Sequence, residues 1–93
     1  MTEAARKPWA LVTGASDGIG VEFCRVLAPR GWNLVLVARR EQKLRELASS
    51  LRAEHGAASE VIPCDLAEPH AAQALHRKTK DLGIEVDLLV NNA

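Results

Sequence analysis

The chain has 93 residues, 47% of them apolar, and 12 Lys plus Arg balance 12 Asp plus Glu for a formal net charge of zero. That length allows one domain at most. No run approaches the ~20 apolar residues of a membrane span, and the balanced charge argues for neither a nucleic-acid nor a membrane partner.

Residues 1–8 are polar, lack the apolar core of a secretory signal and are expected to be a flexible N-terminus of a cytoplasmic protein. A short apolar run follows, Trp9-Ala10-Leu11-Val12, which reads as a buried strand. Three glycines come at once, Gly14, Gly18 and Gly20, and then a helical pattern to about Leu27 in which Ile19, Phe23, Val26 and Leu27 share a face. Strand, glycine turn and helix together aim backbone N–H groups and a helix N-terminus at a phosphate. Gly14 turns the chain off the strand, Gly18 admits a pyrophosphate close to backbone, and Gly20 lets the helix lie close to the sheet. No Gly-Lys-Ser/Thr follows, so this is not a P-loop.

Pro29 and Gly31 stop the first helix. Asn33 to Ala38 is a second apolar run without alternation, as in a parallel sheet covered on both faces. Arg39 and Arg40 end it. Glu41 to His55 carries Leu44, Leu47, Ala48 and Leu51 at helical spacing, and Gly56 closes that helix. A third strand is expected near Glu60 to Cys64, before Asp65. Pro69 suits the first turn of a third helix, which runs to about Leu82 with Ala71, Ala74 and Leu75 on its inner face. Val86 to Val90 is the fourth strand, and Asn91-Asn92-Ala93 ends the chain.

Strands alternating with helices predict an α/β fold, a Rossmann-type doubly wound parallel sheet truncated after its fourth strand, with residues 9–93 as a partial dinucleotide-binding domain. In that winding the fourth strand returns beside the first, two helices cover one face and the third covers the other. The ligand crevice then opens at the strands' carboxyl ends, where Gly14 and Asn91 lie. Cys24 and Cys64 are forty residues apart, without zinc-finger spacing, and read as small buried hydrophobes. His70 and His76, six residues apart, fall on different sides of a helix, which argues against a shared metal.

The segment Thr13-Gly14-x-x-x-Gly18-Ile19-Gly20, the pair Asp65-Leu66 and the terminal Asn91-Asn92-Ala93 resemble, in order and spacing, the motifs of the short-chain dehydrogenase/reductases. The resemblance spans residues 13–93 but only the cofactor half of the family domain. It implies cofactor contacts from the turn (Gly14, Ser16, Gly18, Ile19 and Gly20), an Asp-hydrophobic pair beside adenine (Asp65 and Leu66), and a segment that steadies the sheet and lines the adenosine and ribose site (Asn91, Asn92 and Ala93). Two positions keep a plainer alternative. Asp65 could instead accept backbone N–H bonds at a helix start, and the asparagines could satisfy sheet-end backbone.

Folds that prefer NAD place an acid about twenty residues past the glycines. Here that place holds Ala38, Arg39 and Arg40. A guanidinium grips a 2′-phosphate where a carboxylate would repel it, so NADP(H) is expected over NAD(H), with Arg39 as the clamp, Arg40 as its neighbour and a hydroxyl from Ser16. The alternative is two solvated arginines at a helix start. Asp17 and Glu22 read as acids near a helix N-terminus, although NADP-specific relatives often carry a base where Asp17 stands.

The family's catalytic Ser and Tyr-x-x-x-Lys lie beyond the asparagine motif, and this chain contains no Tyr. No catalytic residue is therefore assigned, and no metal site. The expected function is the NADP(H)-binding portion of an oxidoreductase moving hydride between NADPH and a carbonyl or alcohol. Its small-molecule substrate would be bound by a missing downstream part, and a homo-oligomeric parent stays open. A stand-alone nucleotide-binding module without chemistry is the alternative.

Overall fold

The computed structural model describes residues 7–92. Residues 1–6 and Ala93 lie outside the described residues, and with them most of the expected flexible N-terminus and one expected ribose contact. The elements are β1 (Trp9–Thr13), α1 (Gly18–Leu27), a short 3₁₀ turn (Ala28–Arg30), β2 (Asn33–Ala38), α2 (Glu41–His55), β3 (Ser59–Pro63), α3 (Ala71–Asp81) and β4 (Val86–Val90). The four strands form one parallel sheet in the order β3-β2-β1-β4. That is the doubly wound order expected from the sequence.

Alternating residues of the central strands explain the two layers. Ala10, Val12, Leu34, Leu36 and Ala38 share a core with Cys24 of α1 and with Leu44, Leu47 and Leu51 of α2. Leu11, Val35, Val37 and Ile62 point to the opposite side and pack with Leu75 of α3. Because both faces are covered, β1 and β2 read as unbroken apolar runs. Fully burying a leucine such as Leu44 or Leu51 stabilises by about 1.5–3 kcal/mol.

Two helical faces differ from expectation. In α1 the buried residues are Gly20 and Cys24, while Ile19, Phe23 and Val26 are 64%, 42% and 46% exposed. The helix lies on the sheet by its smallest side chains, since these allow the closest approach, with Val21 and Leu27 partly buried against the same core and Ile19, Phe23 and Val26 left on the outer side. In α3 the inner face is Ala71, Leu75 and Thr79, an i, i+4, i+8 line, and Ala74 is exposed. Pro69 is not in the first turn of α3. His70 takes φ 64°, a left-handed conformation that no helix continues through, so α3 starts at Ala71.

Candidate functional site

The carboxyl ends of all four strands open into one cleft of about 720 Å³. Gly14, Ser16 and Asp17 line it from the turn after β1, and Arg39 and Arg40 from the end of β2. Cys64, Asp65, Leu66 and Ala67 follow β3, and Asn91 follows β4. The crevice therefore includes the point where chain order reverses between β1 and β4, where open α/β sheets bind ligands.

The glycine turn is built so that side chains would spoil it. Gly14 has φ 63°, and a Cβ there would stand 3.1 Å from Asn92 Nδ2 and 3.2 Å from the Asn92 carbonyl oxygen. A Cβ on Gly20 would collide with the Gly14 carbonyl oxygen. Gly20 thus serves the turn's packing on itself as much as the helix's approach to the sheet. Gly18 is different: its φ is 50°, yet the space beside it is open, with nothing within 4 Å of a Cβ. That opening, at the first residue of α1, leaves room for an anion to approach the unpaired N–H groups of the helix.

Thr13 joins the two strands flanking the crevice. Its hydroxyl accepts the Asn92 N–H at 2.8 Å and lies 3.3 Å from Asn91 Oδ1 and 3.4 Å from the Val90 carbonyl oxygen. The asparagine segment is thereby pinned to the end of β1, a sheet-steadying role. Asp65 accepts the Ala67 N–H at 3.0 Å, and its carbonyl accepts the Glu68 N–H at 3.0 Å. These bonds close the turn after β3, well before α3 begins.

The charges at the cleft mouth are arranged unequally. Arg39 is exposed, lines the cleft and has no ion pair among the described residues. Arg40 Nη1 lies 3.8 Å from Asp17 Oδ2, and Lys43 Nζ donates to Asp17 Oδ1 at 3.1 Å. The hydrogen bond and charge of Lys43, then the charge of Arg40, hold the Asp17 carboxyl below the usual carboxylate range. Asp17 occupies the N-cap position of α1, but its side chain makes no capping bond. Asp17 thus stands at a helix N-terminus as expected from the sequence, but its side chain is engaged by Ser16 beside it, at 3.5 Å, and by Arg40 and Lys43 at the start of α2.

Of the residues expected at the site, the cleft brings together Gly14, Ser16, Arg39, Arg40, Asp65, Leu66 and Asn91. Gly18, Ile19, Gly20 and Asn92 are not in its lining; Ile19 lies on the exposed outer stripe of α1, and Gly20 and Asn92 pack against Gly14. Cys64 was expected to be a buried hydrophobe, but it is only partly buried and lines the cleft, whereas Cys24 is fully buried. Lys43 was missed altogether. Its signal was its place three residues after Arg40, which puts both on one side of the entry to α2.

The cleft thus combines a cation unpaired among the described residues, an open helix N-terminus and walls of mixed polar and apolar character, a setting that can take an elongated anion. Groups of three or more His, Cys, Asp or Glu placed to hold a metal ion are absent among the described residues. No described helix is long and apolar enough to cross a membrane.

A family model described as short chain dehydrogenase matches residues 8–93. The chain is 39% identical over 89 residues to a very-long-chain 3-oxoacyl-CoA reductase of Phaeosphaeria nodorum, covering 94% of this chain and 26% of that protein. It is 39% identical over 74 residues to a 7beta-hydroxysteroid dehydrogenase of Collinsella aerofaciens, covering 80% of this chain and 28% of that protein. Among solved structures it superposes on the L-sorbose reductase of Gluconobacter frateurii, complexed with NADPH and L-sorbose, with a TM-score of 0.87 and 34% identity. That match covers 94% of this chain and 33% of the reductase. The chain thus spans about a quarter of the length of these curated relatives.

Proposed function

The chain belongs to the short-chain dehydrogenase family, and from that premise we propose that it forms the NADP(H)-binding portion of an oxidoreductase that moves hydride between NADPH and a carbonyl or alcohol substrate. One observation carries the cofactor choice: the end of β2 presents Arg39, unpaired among the described residues, where an NAD-preferring fold presents an acid. An unpaired guanidinium offers a 2′-phosphate charge-assisted bonds without first giving up a partner. The NADPH-bound L-sorbose reductase superposes on this chain, which supports the same reading.

Within it, the N–H groups at the start of α1 receive the pyrophosphate, and Gly14 and Gly18 keep that approach clear. Asp65 and Leu66 flank the adenine, and Asn91, held by Thr13, borders the adjoining ribose. The cofactor supplies the hydride. Residues 9–93 act as part of a dinucleotide-binding domain, and the small-molecule substrate and its proton donor are met by a further part of a longer protein.

Titrating NADPH and NADH against wild type and Arg39→Ala tests this. NADPH is expected to bind more tightly, and loss of one charged hydrogen-bonding group should weaken it about ten- to a hundredfold. NADH affinity should barely move. Equal wild-type affinities for the two cofactors would overturn the reading.

A further inference from the structure

Arg40 and Lys43 converge on a single carboxylate, one on each oxygen of Asp17. Asp17 belongs to the turn after β1, and its two partners stand at the start of α2. The carboxylate therefore bridges the two segments between which an adenosine 2′-substituent would lie. Held between a guanidinium and an ammonium, it presents what a phosphate would present there: anionic oxygens to two cations.

We propose that Asp17 is a specificity-determining residue, an internal counter-ion that occupies Arg40 and Lys43 at rest and is displaced from them by a nucleotide 2′-phosphate. This rests on the NADP(H) reading above and adds two things to it, a second cation in Lys43 and a competitor built into the chain. The pairs are suited to exchange. The side chains of Arg40, Lys43 and Asp17 are 62%, 46% and 63% exposed, and ion pairs that open to solvent are weak. A phosphate near neutral pH carries more charge than a carboxylate and has three acceptor oxygens, so it wins the cations whenever it is bound. Asp17 makes no capping bond that would anchor it at α1, and it can swing aside without leaving a helix end uncapped by its departure. Its presence lowers the advantage of the phosphorylated nucleotide, since that ligand alone must break the pairs.

The test uses the full chain and two probes, adenosine 2′,5′-bisphosphate and 5′-AMP, by calorimetry at low and moderate salt. Asp17→Asn is expected to tighten the bisphosphate about three- to tenfold while changing 5′-AMP by less than about twofold. In an Arg40→Gln/Lys43→Gln background the same substitution should give no gain. Melting curves establish that each variant is folded. Weaker or unchanged bisphosphate binding in Asp17→Asn, an equal effect on both probes, or a gain that persists without the two cations would overturn the proposal. A wild type that prefers the bisphosphate yet is indifferent to Asp17→Asn overturns this proposal alone. A wild type that binds both probes equally overturns the NADP(H) reading, and this proposal with it.

Discussion

At the residue scale the two cysteines separate structure from site. Cys24 is fully buried between α1 and the sheet, and burial pushes its thiol up to about 12. A free thiol titrates near 8.5, so the folded state keeps a proton that the unfolded chain gives up. The sign is therefore a penalty of rising pH: stability is intact below the unfolded thiol's pKa and declines as pH climbs toward the folded value. Cys64 is partly exposed on the cleft wall beside Asp65. At pH near 8 a thiol reagent should label Cys64 rapidly and Cys24 only on unfolding. Saturating NADPH should slow the Cys64 reaction and leave Cys24 unchanged. Labelling of Cys64 at an unaltered rate in the presence of bound NADPH would place the nucleotide elsewhere. Asp17 has the opposite sign. Its carboxyl is held low by Lys43 and Arg40, so its pairing is complete above the ordinary carboxylate pKa and is lost as pH falls through the depressed value.

At the element scale the turn between β1 and α1 makes two glycines respond differently. Gly20→Ala drives a methyl into the Gly14 carbonyl, a backbone group that cannot rotate aside, and should destabilise the fold by about 1–3 kcal/mol in urea unfolding. Gly18→Ala meets no atom, and its left-handed φ costs about 1–2 kcal/mol. Gly18→Val should keep the far-UV spectrum but abolish NADPH binding, because a branched side chain fills the open space at the helix N-terminus. A Gly18→Val protein that binds NADPH normally would reduce the turn to a structural one. Elements whose limits rest on local chemistry were legible in the sequence. The second strand ends at Ala38 before two arginines, and α2 ends at His55 because Gly56 takes φ 67°. Features that depend on tertiary packing were not. Apolar periodicity grouped Ile19, Phe23, Val26 and Leu27 on one face of α1, yet only Leu27 of these packs against the core, because a helix resting on Gly20 and Cys24 hides its inner face from any count of large residues. The Asp17–Lys43 pair joins residues 26 apart and exists only once α1 and α2 are side by side.

At the scale of the whole molecule, the cleft is assembled from four strand ends, while the outer stripe of α1 and Leu89 of β4 stay exposed. On the proposed function this cleft would be one half of a redox site, and chemistry in it would depend on whether a proton donor stands near the substrate oxygen. A general acid must lie within hydrogen-bond reach and titrate near working pH. The sequence has no Tyr. Neither His nor Lys is among the residues lining the cleft: His55 ends α2, His70 precedes α3, and His76 lies along it. Asp17 lines the cleft, but its lowered pKa leaves it ionised at neutral pH and unable to give a proton. Absence of a positioned acid forfeits about 10²–10⁴ in rate, and substrate held in no fixed geometry loses more. Purified residues 1–93 should therefore bind NADPH without oxidising it in the presence of any of a broad panel of ketones and aldehydes, followed by nicotinamide absorbance. Substrate-dependent oxidation that Gly18→Val abolishes would show that a donor is present in this half of the fold after all, and Cys64 and Asp65, the remaining ionisable groups on the cleft wall apart from the arginines, would be the first positions to replace.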